Sequence, residues 1–261
     1  MTLLPAGVLR VAHRTSLTIL AAAALLSGCG TTDASDPLIP GPAGRVRFVN
    51  LITDAARVPV NAILESVPFG VNIAYGGTTP SSLPSPANAV YSPILTGSRT
   101  LVLKRTADTT VTVATFPFPV GNNGDYTIYA TGGAAASAVT AFITTDTNSA
   151  PAVGRVRVRV VHLAPGAGNV DVFVTPVGAD LALATPTLAN VALRASAYLD
   201  VAAGTYQVRA VPAGTAPASR AANTSINLAS AALPANGART IIAADNATGG
   251  APFRFIVLAD R

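Results

Sequence analysis

Arg155-Val156-Arg157-Val158-Arg159-Val160 alternates basic and apolar residues without a break, the period-two pattern of a half-buried β-strand. Similar short segments, rich in Val, Ile, Thr and Tyr, recur along the rest of the chain. They predict strands at Val58–Leu64, Arg99–Arg105, Thr109–Phe116, Tyr126–Thr131 and Thr140–Thr144. Beyond residue 155 they predict further strands at Asn169–Thr175, Thr205–Val211, Thr224–Leu228, Arg239–Ala244 and Phe253–Leu258. Turn formers separate them, as in Asn122-Asn123-Gly124, Pro212-Ala213-Gly214 and Asn236-Gly237, and Gly121–Gly124 reads as a hairpin turn. The Ala-rich stretches Ala134–Ala138 and Leu181–Ala192 are candidates for helical turns, but they lack i,i+4 charge pairs and the second contains Pro186.

The strand pattern repeats. Arg45-Val46-Arg47-Phe48-Val49-Asn50-Leu51 aligns with Arg157-Val158-Arg159-Val160-Val161-His162-Leu163, and Val58 and Val60 align with Val170 and Val172. Gly124, Thr127, Ile128 and Ala130 align in turn with Gly237, Thr240, Ile241 and Ala243, one residue further offset. Two related units follow, at 45–147 and 155–261, joined by a linker at 148–154. Only two copies are visible, which suits a domain pair and not a solenoid. Six or seven short strands per unit fit an immunoglobulin-like sandwich, although the Cys–Trp–Cys core signature of antibody domains is absent. The expected fold is therefore all-β: two tandem immunoglobulin-like β-sandwich domains.

The first 28 residues read as an address. Arg10 and Arg14 precede the largely apolar run Leu17–Leu26, about half the length that spans a bilayer. Leu26-Ser27-Gly28-Cys29 then resembles the lipobox of bacterial lipoproteins, whose cysteine is acylated and becomes the new N-terminus. Cys29 is the single cysteine, so no disulfide can form within the chain. Residues 1–28 are expected to be a cleaved signal peptide, and 29–44 a lipidated cysteine with a proline-containing flexible tether. No later stretch is apolar enough to cross a membrane as a helix, which leaves the acyl chains on Cys29 as the expected anchor. Gly30 in place of Asp, by resemblance to Gram-negative sorting, favours the outer membrane.

Composition narrows the function classes. Only 11% of residues are charged, against roughly a quarter in an ordinary soluble domain, and half are hydrophobic. Such a chain is neither a disordered polyelectrolyte nor a coiled coil. The net charge of +5 includes Arg10 and Arg14, so the mature chain is only weakly basic.

The run from Arg159 to Val174, RVVHLAPGAGNVDVFV, resembles the opening of a bacterial envelope family known as domain of unknown function 4397. Its pattern is similar to Arg-Val-x-His-x-Ser-Pro-x-Ala-x-x-Val-Asp-Val-Tyr-Val, matched here by His162, Pro165 and Asp171. A later Gly-x-Tyr is matched by Gly204 and Tyr206. In the first unit Asn50 replaces the His and Pro59 the Asp, so that copy has diverged. The resemblance implies secreted or lipid-anchored proteins built from β domains, and it brings no activity with it.

Few residues are suited to chemistry. His162 is the single histidine beyond the signal, and a Ser-His-Asp hydrolase would need it, with Asp171 as the orienting acid. Alternation places His162 on the core face with Val156, Val158 and Val160, but Asp171 opposite Val170 and Val172. A structural role is expected, with His162 tying down the Ala164–Gly168 loop. No nucleophile elbow, dinucleotide fingerprint or metal-ligand cluster is present, and neither cofactor nor metal is expected. Arg155, Arg157 and Arg159, echoed by Arg45 and Arg47, line one strand face. They form either a solvated outer surface or a stripe for an anionic glycan or lipopolysaccharide. No aromatic residues interleave them for base stacking, which disfavours nucleic acid. Tyr75 and Tyr91, in a long proline-rich loop at 70–98, are the best candidate sugar platforms.

The expectation is a non-catalytic envelope lipoprotein that binds, adheres or scaffolds at the outer membrane. A glycan-binding module using the arginine stripe is the first alternative, and a hydrolase centred on His162 the second.

Overall fold

In the computed structural model, residues 41–80, 90–134 and 137–260 are described. The signal peptide, lipobox and Cys29 lie outside them. Among the described residues there are strands and short 3-10 turns but no α-helix, and the chain is all-β.

The first half contains β1 (Ala43–Ile52), β2 (Val60–Leu64), β3 (Val67–Ile73), β4 (Thr78–Thr79), β5 (Ser92–Leu95), β6 (Gly97–Arg105), β7 (Asp108–Val120), β8 (Asp125–Gly132) and β9 (Val139–Asp146). The second contains β10 (Arg155–Leu163), β11 (Val170–Pro176), β12 (Leu188–Val191), β13 (Ser196–Ala202), β14 (Gly204–Pro212), β15 (Ile226–Leu233), β16 (Ala238–Ala244) and β17 (Arg254–Ala259). Each half has an outer and an inner sheet. The outer sheets run β3-β2-β6-β7 and β12-β11-β14-β15, and the inner sheets β4-β1-β8-β9 and β13-β10-β16-β17, with β5 also on β1. The strand order of the second half thus repeats that of the first. So does the one parallel pairing in each, β1 with β8 and β10 with β16, while all other pairs are antiparallel.

Alternation explains the layers. Val46, Phe48 and Ile52 of β1 pack against Val60, Leu101, Leu103 and Phe118 inside the first half. Val156, Val158 and Val160 of β10 pack against Val170, Val172 and Val208 inside the second. The opposite faces of β1 and β10 are covered too. Val49, Leu51 and Tyr129 of the first half form a third cluster with Val161, Leu163, Ile242 and Ile256 of the second. The inner sheets therefore face each other, giving four layers, and residues 39–261 make one compact unit.

Several expectations need correction. Leu188–Val191, within a stretch read as a helical turn, is an edge strand paired to β11, with Val191 buried. Part of Ala134–Ala138 lies outside the described residues. The span read as a 70–98 loop contains the end of β3, then β4 and β5, with residues 81–89 not described. Strand β13 was unmarked by pattern, because its partly buried residues alternate with exposed ones at an edge. The Gly121–Gly124 turn is not a hairpin: it carries the chain from β7 in the outer sheet to β8 in the inner one.

Candidate functional site

The polar centre of the molecule lies between the two inner sheets. Arg47 and Arg159 occupy equivalent positions on β1 and β10, and are 2% and 1% exposed. Each is held by a threonine of its own half. Arg47 donates through Nε and Nη2 to Thr127 Oγ1 at 3.2 and 3.1 Å, and Arg159 donates through Nε to Thr240 Oγ1 at 3.0 Å. Each is paired with a carboxylate of the other half. Arg47 Nη1 meets Asp260 at 2.8 Å, and Arg159 Nη1 forms a direct ion pair with Asp146. The threonines close the circuit by donating to their own aspartates, Thr127 to Asp146 and Thr240 to Asp260 (2.7 Å). Asp146 also accepts from the hydroxyls of Thr144 (2.6 Å) and Tyr91 (2.7 Å). The Tyr91 ring lies 4.7 Å from the Arg47 guanidinium, and Tyr198, paired in register with Arg159, lies 5.6 Å from that guanidinium.

This geometry sets the charge states. Burial by itself pulls the Arg47 pKa down, but facing Tyr91, Asp260, Tyr129 and Asp146 outweigh it, so it stands above the usual arginine value. The same opposition, with Tyr129 and Asp146 against burial, raises Arg159. Tyr129, wholly enclosed, is pushed up to about 12 by desolvation, partly offset by Arg159 and Arg47.

The arginine stripe is therefore corrected. Its inner members are buried between the halves, and its outer members are engaged as well. Arg45 forms a two-pronged pair with Asp125 at 2.7 Å, Arg157 pairs with Asp200, and Arg155 donates to the Asp200 carbonyl. Nor are the two tyrosines exposed platforms. Tyr91 is buried on Asp146, and the Tyr75 hydroxyl donates to the Asp245 carbonyl at 2.6 Å, from the first half to the second.

His162 is fully buried on the inward face of β10. Its Nε2–H donates to the Gly168 carbonyl at 2.6 Å, and Nδ1 accepts the Ala164 N–H at 3.4 Å, which spans the Pro165–Ala167 3-10 turn. Gly168 has φ 64°, a conformation that favours glycine and turns its carbonyl back to the ring. Asn50, at the matching position, accepts the Ile52 N–H at 3.1 Å in the same i+2 manner but donates to Ile73 instead. Asp171, expected on an outer face, is 8% exposed and accepts the N–H of Asn190 in β12 and of Gly214 in the turn after β14. The pair His162–Asp171 does not form. Gly204 opens β14, and the Tyr206 hydroxyl donates to Ala202 across the β13–β14 turn.

Bordering the apolar cluster lies a cleft of about 230 Å³. The first half lines it with Thr53, Tyr75 and Thr140, the second with Pro165, Arg194 and Asp245. Among the described residues no three His, Cys, Asp or Glu side chains gather as a metal site. The residues that pattern reading missed are Asp146, Asp260, Asp245 and Arg194. For the first two a signal existed, since Asp146 ends the last strand of one repeat and Asp260 directly follows that of the other.

What this defines is an all-β protein of two paired-sheet halves joined through a buried ionic centre. The family model described as a domain of unknown function (DUF4397) matches residues 44–173. The match supports the family. It spans the first half, the copy that motif comparison marked as diverged, and ends at Phe173 within the motif of the second. Among curated proteins none matches the chain.

Proposed function

We propose that this protein is a non-catalytic, lipid-anchored envelope protein whose two tandem immunoglobulin-like domains serve as one rigid binding or structural module at the outer membrane. The observation that carries the reading is the exchange of ion pairs, Arg47 with Asp260 and Arg159 with Asp146, between the halves. The repeated strand order supports two copies of one domain. Both ring nitrogens of His162 are spent on its own loop, which weighs against a hydrolase built on it.

The anchor rests on Leu26-Ser27-Gly28-Cys29 and the tether behind it. Replacing Cys29 by Ala should remove the acyl mass and release the protein from the membrane fraction; unchanged mass and fractionation would end the lipoprotein reading. Protease shaving of intact cells, with a periplasmic protein as leakage control, then assigns the face. Clipped domains point to adhesion, and protected domains to periplasmic scaffolding.

A further inference from the structure

The cleft beside the interface holds two opposite charges that lack ionic partners among the described residues. Arg194 sits in the turn between β12 and β13 with φ 62°, left-handed for a non-glycine residue, and its N–H is held by the His162 carbonyl at 2.8 Å. Its side chain reaches the first half and donates to the neutral Thr140 Oγ1 at 2.5 Å. Asp245, only 8% exposed, has an Oδ1 with no hydrogen-bond donor among the described residues. A buried carboxylate oxygen without a donor is unfavourable and calls for one.

The rest of the lining is hydroxyl-rich with an apolar wall. Thr53 gives its hydroxyl proton to the Gly132 carbonyl and keeps its lone pairs, whereas Ser137 accepts the Gly133 N–H and keeps its proton. Leu193, 44% exposed, and the exposed Pro165 supply the apolar side of the lining. Small-ligand sites combine such apolar walls with a few converging polar groups.

We propose that this cleft binds one acidic sugar unit, a uronate, between the two halves. Its carboxylate pairs with Arg194, its hydroxyls serve Asp245 and the Thr and Ser hydroxyls, and its ring lies against the exposed Leu193 and Pro165 of the lining. Spare donors and acceptors on several side chains favour a polyol over a simple zwitterion, for which two charges suffice. The proposal stands on the cleft and is independent of the lipid anchor.

The test is calorimetric titration of the full mature protein with D-glucuronate, beside D-glucose, acetate and glycine. Saturable glucuronate binding is expected, with each of the other three at least about tenfold weaker. Arg194→Gln, at an exposed position, should keep the melting temperature and abolish the preference for glucuronate over glucose. Asp245→Asn should weaken both sugars together. Lack of saturable glucuronate binding, equal binding of glycine, or a folded Arg194→Gln protein that still prefers glucuronate would each overturn the proposal.

Discussion

Arg159 is neutralised by Asp146, a carboxylate of the other half, although the aspartate closing its own half, Asp260, is joined to it through Thr240. Arg47 mirrors the arrangement, pairing with Asp260 while Thr127 links it to Asp146. Each arginine takes its shortest ion pair from the other half, and Arg47 also lies 3.9 Å from Asp146 of its own half. Removing one partner from a buried pair strands the other, at a typical cost of about 3–5 kcal/mol. Arg159→Ala is therefore expected to destabilise the whole protein by an amount in that range, read as a lowered denaturant midpoint in a single transition. Because the pair is enclosed, added salt should scarcely move the wild-type midpoint. A loss below about 1 kcal/mol would mean that the centre is not a joint.

Tyr129 supplies a different probe of the same interface. Its ring packs between the halves, 6.0 Å from Phe142, and its hydroxyl has no hydrogen-bond partner among the described residues. Tyr129→Phe is expected to be neutral or slightly stabilising near neutral pH. The alkaline side should separate the two proteins. Burial raises the folded pKa from 10.0 to about 12, so between those values the unfolded chain releases a proton that the folded chain keeps. Stability is then complete below pH 10 and falls as pH rises toward 12. Tyr129→Phe should remove its share of that loss, on the order of 3 kcal/mol. Parallel pH profiles for the two proteins would remove Tyr129 from the account.

His162 is expected to matter for its loop. Asn50 accepts the N–H two residues on, as His162 does, so His162→Asn retains that bond but is too short for the Gly168 carbonyl. One lost hydrogen bond costs about 1 kcal/mol, with more for leaving a buried carbonyl unserved. His162→Ala should cost more than His162→Asn. Hydrogen exchange should show the added opening confined to residues 164–168 in the Asn variant. Uniform loss of protection would instead assign His162 to the general core.

How much of this was legible in the sequence follows from what alternation can and cannot encode. It placed Val156, Val158 and Val160 in the core of the second half, since those contacts lie within one repeat. It does not say what covers the opposite face, and arginines at 47 and 159 read as solvated. The cover comes from the other half of the chain. A local clue was present: the face that begins with Arg47 continues as Val49 and Leu51, and that of Arg159 as Val161 and Leu163, which water would not favour. The cleft was less legible still. Arg194 and Asp245 carry no motif, and only the packing of the halves brings them together.

That shared face carries the last expectation. A half expressed alone, as residues 41–147 or 148–261, would expose Val49, Leu51 and Tyr129, or Val161, Leu163 and Ile242, around a buried arginine that has lost its shortest ion pair, with Arg47 keeping only Asp146 at 3.9 Å. Burying a large apolar side chain contributes about 1.5–3 kcal/mol, so leaving this cluster open removes a sizeable part of a domain's marginal stability. Each half alone is expected to aggregate or self-associate through that face, because the equivalent residues can meet across two copies. Mixed in equal amounts, the halves should combine into a one-to-one complex in sedimentation. The complex should weaken sharply with Asp146→Asn on one piece or Asp260→Asn on the other. Two soluble monomers, each with the stability of the intact chain and no tendency to combine, would show that the ionic centre joins domains that do not need each other.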